Sequence, residues 1–473
     1  MLRHSLPTGG TRPVDAPRVM SSGQGASFGR RRALHAAGVG LSALAGLGLR
    51  QASAASQHGL RHAALPGAAP SLVTDQTPPE LADIEAAFQE IMERWDVPGG
   101  QFALAKDGRL VLNRGFGLAD VEREEPVLPS SLFRIASVTK AITAVAILTL
   151  VDAGALALDE PVFPLIAFLP PPHATPDPRL DSITVQDLLT HSGGWDSAQS
   201  WDPQGLPFSR MAAAMTGLAD PAEATTIVRF MLGEPLDFDP GTRQAYCNFG
   251  FNVLGRVIEH VSGQPYDAYV RDHVLAPAGA TTMRLGRTRL ADRAPGEVRY
   301  YAPPDQAPGW SVFWGEGYAP FAYGGSTYME ALDSHGAWIA SAADLIRFAT
   351  AVDGQRGPAL LTPQAVQTML TTPRPRTETP GTGVPGVTAE VTAGLGWDVI
   401  PVGGEFEWSR VGALMGSTAA WVARRPDGVS AAYTFNSLPQ DYNAFLNETI
   451  TELGQAIDAI EVWPEGDLFA AQD

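Results

Sequence analysis

A serine and a lysine three residues apart, in Ser137-Val138-Thr139-Lys140, head an apolar run from 141 to 151. The run carries Ile142, Val145, Ile147, Leu148 and Leu150 with no charge before Asp152, and Gly154 follows as a helix stop. A helix that is apolar on nearly every face is buried in a large core. Side chains three apart at its start project from one face, so a hydroxyl and an amine meet at its positive end. That pair is the starting material for a serine nucleophile with a lysine base. The lysine is the more telling residue. Of 33 basic residues only Lys106 and Lys140 are lysines. Lys106 falls in Lys106-Asp107-Gly108, a turn where an exposed charge is enough to explain it. An arginine does not give up its proton in a protein, whereas a buried lysine can.

A second group that can move protons comes later, in Tyr246-Cys247-Asn248, just ahead of an apolar helical run over 251–261. In an extended stretch Cys247 points away from both neighbours and reads as a small buried residue. His191 and His335 lie in glycine-bordered turns, where backbone hydrogen bonding is the usual task. No His, Cys, Asp and Glu grouping has metal-ligand spacing, and no glycine-rich phosphate loop follows a strand. The expected chemistry calls for neither a metal nor a cofactor.

The elements that position these groups are legible from pattern. A helix is predicted over 79–95, with Leu81, Ile84, Phe88 and Ile91 at helical spacing. Segments 101–105 and 110–113 flank the Asp107-Gly108 turn as a hairpin. Helices follow over 224–232, 251–261 and 345–352, the last capped by Ser341-Ala342-Ala343-Asp344. Strands return at 394–400, 406–414, 418–423 and 430–435, and a helix over 443–460 closes the chain. Strands from both ends enclosing a helical middle predict an α/β (α+β) fold: one antiparallel sheet built from both chain ends, with flanking helices and an inserted, mainly helical domain. The expected division is an α/β domain from 79–155 and 390–462, a helical domain over 156–370, a linker at 371–389 and a C-terminal tail at 463–473.

Residues 1–54 read as an export signal. Arg30-Arg31-Arg32 precede an apolar run over 36–49, too short to span a membrane, and Ala52-Ser53-Ala54 offers a small-residue cleavage site. The cluster is similar to a twin-arginine signal, and a linker over 55–78 follows it. The expected location is periplasmic or secreted. The chain of 473 residues carries a formal charge of −18, which argues against a nucleic-acid partner. Its single cysteine excludes an intrachain disulfide. No membrane span is expected in the mature chain, and oligomeric state is not legible.

Ser137-x-x-Lys140, Tyr246-x-Asn248 and the spacing between them resemble the serine β-lactamase and penicillin-binding-protein superfamily, most closely its class C-like branch of lactamases, D-peptidases and esterases. The resemblance extends to Leu188-Leu189-Thr190-His191-Ser192-Gly193-Gly194, Phe238-Asp239-Pro240-Gly241-Thr242 and Gly394-Leu395-Gly396-Trp397. It implies Ser137 as nucleophile, Lys140 as base and Tyr246 as proton relay. Asn248 would orient Lys140 or a substrate amide, and the Ser137 and Ala413 backbone N–H groups would form the oxyanion hole. The family's third motif is a basic residue, any residue, then glycine. Many hydrolases carry histidine there, and lactamases and peptidases commonly carry lysine. Here the segment is Arg410-Val411-Gly412-Ala413. A permanent cation at that position implies a holder for a substrate carboxylate, or a field at the oxyanion; a surface arginine without a role is the alternative.

The implied activity is acyl transfer through an acyl-enzyme, on an ester or amide of a small molecule or peptide. An esterase or D-peptidase is favoured over a true β-lactamase or D-Ala carboxypeptidase, because the lysine-type third motif is absent. A catalytically impaired binding protein is the rival reading. Trp195, Trp201, Trp310, Trp314 and Tyr323, in loops near 195–220 and 300–335, are candidates to line an apolar acyl pocket.

Overall fold

The computed structural model describes residues 78–470 apart from 198, 201–207, 219, 326, 376–390 and 392–393. The expected export signal, most of the first linker and most of the second lie outside the described residues, as does Trp201.

After a 3-10 turn at Pro79–Leu81 comes helix α1 (Ala82–Arg94), which buries Ile84, Phe88 and Ile91 as the spacing predicts. Strands β1 (Gly99–Lys106) and β2 (Arg109–Asp120) form the expected hairpin. Asp107 and Gly108, with φ of 51° and 76°, are its two-residue left-handed turn. Lys106 is not the solvated charge its position suggested. Its side chain is 20% exposed, its Nζ donates to the Asp427 carbonyl and lies 5.5 Å from the Trp463 ring centre.

The short strand β3 (Glu125–Pro126) edges β2, and helix α2 (Thr139–Asp152) follows the 3-10 turn Ala136–Val138. Lys140 through Leu148 are all buried, so α2 is the core helix its composition demanded. The middle of the chain is helical and irregular, with α3 (Asn248–Ser262) packed against α2 and α4 (Ala342–Val352) lying on the sheet. The predicted cap of α4 forms in both directions: Ser341 Oγ accepts from the Asp344 N–H at 3.1 Å and Asp344 Oδ2 from the Ser341 N–H at 3.2 Å.

Strands β4 (Asp398–Val402), β5 (Glu405–Leu414), β6 (Thr418–Arg424) and β7 (Val429–Phe435) then return, and α5 (Tyr442–Asp458) closes the fold. The sheet has seven strands in the order β3-β2-β1-β7-β6-β5-β4, and all of its pairings are antiparallel. Strands from both chain ends meet at the β1–β7 pair, which is the α/β fold expected from the element order. The first returning strand starts at Asp398 rather than 394, because Gly394 and Gly396 have φ of 113° and 74° and turn the chain there. Residues 463–470 of the expected tail pack back onto the body. Phe469 is fully buried, and the Leu468 N–H donates to the Leu110 carbonyl at 2.8 Å.

Alternation along the strands separates two cores. Phe102, Leu104, Ala419, Trp421, Tyr433 and Phe435 face α1 and α5, whereas Ala103, Ala105, Ala420, Val422 and Ala432 face α2 and α4. The second set is small, so helices on that side approach the sheet closely. On β5 the same parity sends Trp408 to the α2 side and Val411 to the other. Arg410 and Gly412 share the parity of Trp408, and both therefore face the nucleophile's helix.

Candidate active site

Ser137 sits in the 3-10 turn ahead of α2, preceded by Ala136 at a φ of 44°, a conformation uncommon for a residue with a Cβ. One helical turn later, Lys140 is fully buried. Lys140 Nζ lies 3.0 Å from Ser137 Oγ, 2.6 Å from Asn248 Oδ1 and 2.9 Å from the His335 carbonyl oxygen. The last two are pure acceptors and each takes an N–H. A neutral amine donating to both would turn its lone pair to the Ser137 hydroxyl, the orientation a base needs.

Tyr246 completes the group. Its Oη lies 2.8 Å from Ser137 Oγ and donates to Asn248 Oδ1 at 3.4 Å. Tyr246 is 36% exposed, so the phenol opens to solvent while the amine behind it does not. Asn248 is the first residue of α3, and extended Cys247, with φ −145° and ψ 125°, puts Tyr246 and Asn248 on one side and its own thiol in the core. The structure thus brings Ser137, Lys140, Tyr246 and Asn248 into direct contact.

Gly412 is needed for the third wall. A Cβ there would stand 2.1 Å from the Ile135 carbonyl oxygen and 3.1 Å from the Ser137 nitrogen. Only glycine lets β5 run this close to the nucleophile's turn. Ala413 follows on the strand, half-buried. The paired N–H groups of Ser137 and Ala413 remain the candidates to hold a developing oxyanion.

Of the three readings of Arg410, burial leaves the one in which it acts through its field. It is 1% exposed, so it is neither a surface arginine nor available to a substrate carboxylate. Its Nε donates to the Ser137 carbonyl oxygen at 3.4 Å, and its Nη1 lies 3.4 Å from Asp398 Oδ2. Asp398, fully buried, also accepts from Arg374 Nη1 at 3.1 Å. The guanidinium carbon of Arg410 is 5.7 Å from the centre of the Tyr246 ring.

His191 also adjoins the site, and its turn position gave no hint of that. Its ring packs on Tyr246 with centroids 4.6 Å apart, and its Nδ1 accepts from the Cys247 N–H at 3.3 Å. Burial, then the charges of Arg410, Arg374 and Lys140, hold its imidazole neutral, well below the ordinary histidine range. Of the aromatics expected in an acyl pocket, Trp195 is in the core against Phe249, and the Tyr323 hydroxyl accepts from the Tyr300 N–H at 2.8 Å. Trp310 and Trp314 are 58% and 79% exposed, and Trp310 stacks on Tyr318 at 4.4 Å. Among the described residues no group of His, Cys, Asp and Glu could hold a metal ion, and no helix is long and apolar enough to cross a membrane.

The family model for Beta-lactamase matches residues 84–455, most of the chain and the whole of this site. The chain belongs to the beta-lactamase family. Among similar sequences, Esterase EstB of Burkholderia gladioli is 33% identical over 205 residues, 42% of this chain and 50% of that protein. Protein flp of Staphylococcus aureus (strain MW2) is 28% identical over 197 residues, 41% of this chain and 36% of that one. These matches thus span half or less of each relative's length. The D-amino acid amidase from Ochrobactrum anthropi SV3, solved with L-phenylalanine amide, superposes with a TM-score of 0.62 at 22% identity, over 80% of this chain and 99% of that one. The octameric penicillin-binding protein homologue from Pyrococcus abyssi gives 0.58 at 23% identity, over 79% and 77%. At these identities the structures speak for the fold, a beta-lactamase/transpeptidase-like one.

Proposed function

We propose that this beta-lactamase-family chain is a serine hydrolase that cleaves an ester or amide of a small molecule or peptide through an acyl-Ser137 intermediate. The observation that carries the reading is the double contact on Ser137 Oγ, with Tyr246 Oη at 2.8 Å and Lys140 Nζ at 3.0 Å. In the first half-reaction Ser137 Oγ bonds to the substrate carbonyl carbon while Lys140 accepts the hydroxyl proton. The carbonyl electron pair moves onto oxygen, held by the backbone N–H groups of Ser137 and Ala413. Collapse expels the alcohol or amine, which receives a proton through Tyr246. A water molecule then attacks the acyl carbon, gives its proton to Tyr246 or Lys140, and Ser137 leaves as the hydroxyl it began as.

Esters and simple amides are favoured over β-lactams and carboxylate-ended peptides. Arg410 is buried on Asp398, so the third motif offers no cation to a substrate carboxylate. The esterase and amidase among the similar proteins support the same preference. The rival reading is a binding protein that has lost turnover through the arginine in the third motif; the contact of Ser137 with both Lys140 and Tyr246 favours the hydrolase over it. Export is part of the proposal and is supported by the arginine cluster and apolar run at 30–49; protein found only in the cytoplasm of the producing cells, with residues 1–54 still attached, would refute it. The activity is tested by turnover of p-nitrophenyl esters, D-amino acid amides and a chromogenic β-lactam by the wild type and Ser137→Ala. Ester or amide turnover that vanishes in the variant supports the reading; turnover that survives in Ser137→Ala, or none in the wild type, refutes it.

A further inference from the structure

Beneath the catalytic group, Arg410 of the third motif stands with two residues that no motif singles out, Arg374 and Asp398. Arg374, Asp398 and Arg410 are 7%, 0% and 1% exposed. Arg374 donates through Nε to the Gly394 carbonyl at 3.0 Å, through Nη1 to Asp398 Oδ1 at 3.1 Å and through Nη2 to the Trp397 carbonyl. Asp398 in turn faces Arg410 Nη1 with both oxygens, at 3.5 and 3.4 Å. Arg410 passes the chain on to the nucleophile's own carbonyl through its Nε.

The charges do not cancel. Two guanidinium groups against one carboxylate leave one positive charge in a buried cluster, where the surroundings screen it poorly. It adjoins the catalytic phenol from below, with Arg410 Cζ 5.7 Å and Lys140 Nζ 5.1 Å from the centre of the Tyr246 ring. Among the described residues, the groups that meet Tyr246 include Ser137 and Lys140 from the α2 turn, Asn248 from α3, His191 from its turn and Arg410 from β5. His191 is held neutral, so the fixed charge at the phenol comes from the Arg374–Asp398–Arg410 cluster and from Lys140 whenever it is protonated.

We propose that Asp398, braced by Arg374, pins Arg410 beneath the site as a positioning residue, where it supports the Ser137 carbonyl and supplies a fixed positive field to the proton-transfer group without touching substrate. This rests on the serine-hydrolase reading. A base beside a fixed cation loses its proton more readily, whether the base is the phenol or the amine. Removing the cation raises the pH at which the site becomes active; removing the carboxylate lowers it.

The test compares wild type, Arg410→Met, Arg410→Lys and Asp398→Asn on two p-nitrophenyl esters of matched length, one neutral and one ending in a carboxylate. Arg410→Met is expected to lower kcat by about 10- to 100-fold on both esters with KM changed less than twofold, and to move the acid limb of kcat/KM up by about one pH unit. Arg410→Lys should return the limb to within a few tenths of a unit of wild type. Asp398→Asn should move it in the opposite direction. Damage to the fold alone would lower activity without moving the limb in opposite senses. A rise in KM confined to the carboxylate ester in either Arg410 variant would overturn the proposal, as would limbs that stay in place in all three variants. If Arg410→Met does not fold, the Arg410→Lys and Asp398→Asn results decide. Loss of turnover on both esters by the wild type would instead strike the hydrolase reading beneath it.

Discussion

Lys140 Nζ stands 3.0 Å from Ser137 Oγ, while two acceptors, Asn248 Oδ1 and the His335 carbonyl, lie 2.6 and 2.9 Å away. This relationship turns a buried lysine from a cost into a tool. Burying an ammonium is expensive unless it is paired. The two acceptors meet that cost with neutral partners, which leaves the amine able to exchange a proton with the serine.

Replacing Lys140 therefore separates charge from proton transfer. Lys140→Met is expected to lower kcat/KM by about 10²- to 10⁴-fold, the range for losing a general base. Lys140→Arg keeps the charge and should not restore the rate, because a guanidinium does not give up its proton. Steady-state kinetics on one good ester is the check.

Tyr246→Phe removes one oxygen and leaves the ring on His191, at the 4.6 Å spacing that packs it. A loss of about 10²-fold or more in kcat/KM is expected, with a melting temperature within about 2 °C of wild type. A large fall in melting temperature would mean that Tyr246 serves the fold rather than the reaction.

The fit of β5 to the nucleophile turn predicts a severe effect from one methyl group. In Gly412→Ala the new Cβ meets the Ile135 carbonyl oxygen at 2.1 Å. Strand or turn must shift, at about 1–3 kcal/mol. Urea unfolding should report that loss, and activity should fall with it because the displaced turn carries Ser137.

Two buried histidines give the stability a pH dependence. The imidazoles of His191 and His335 are both held well below the ordinary range, chiefly by burial and next by neighbouring cations, Arg410 for His191 and Lys140 for His335. The unfolded chain binds these protons near its ordinary value of about 6.5 and the folded chain does not, so stability is present above that pH and lost as pH falls below it. The expected slope is about 1.4 kcal/mol per pH unit for each histidine. Urea unfolding between pH 5 and 7 should show it, and His191→Gln should make it shallower.

Much of this was legible in the sequence, for identifiable reasons. The all-apolar run behind Lys140, the Asp107-Gly108 turn and the Ser341/Asp344 cap are local signals, and local geometry enforced each of them. The turn at 394–396 falls where the sequence predicts the start of a strand. Yet Gly396 is there to let the chain pass α2, where a Cβ would meet that of Ala144 at 2.4 Å. The support for Arg410 was not legible at all. Arg374 and Arg410 lie 24 and 12 positions from Asp398 in the chain, and no spacing rule joins them. Only β4 and β5 pairing side by side, Asp398 opposite Ser409, brings carboxylate and guanidinium together.

The central claim is that Ser137 is the nucleophile, activated by Lys140 and Tyr246. Its most direct test is to treat the protein with a phosphonylating aryl phosphonate and locate the adduct, formed with loss of the aryloxide, by peptide mass spectrometry. One adduct per chain, on Ser137, absent from Ser137→Ala and formed far more slowly in Lys140→Met, is the predicted result. Labelling at another residue, or equal labelling of Ser137→Ala, would contradict the account.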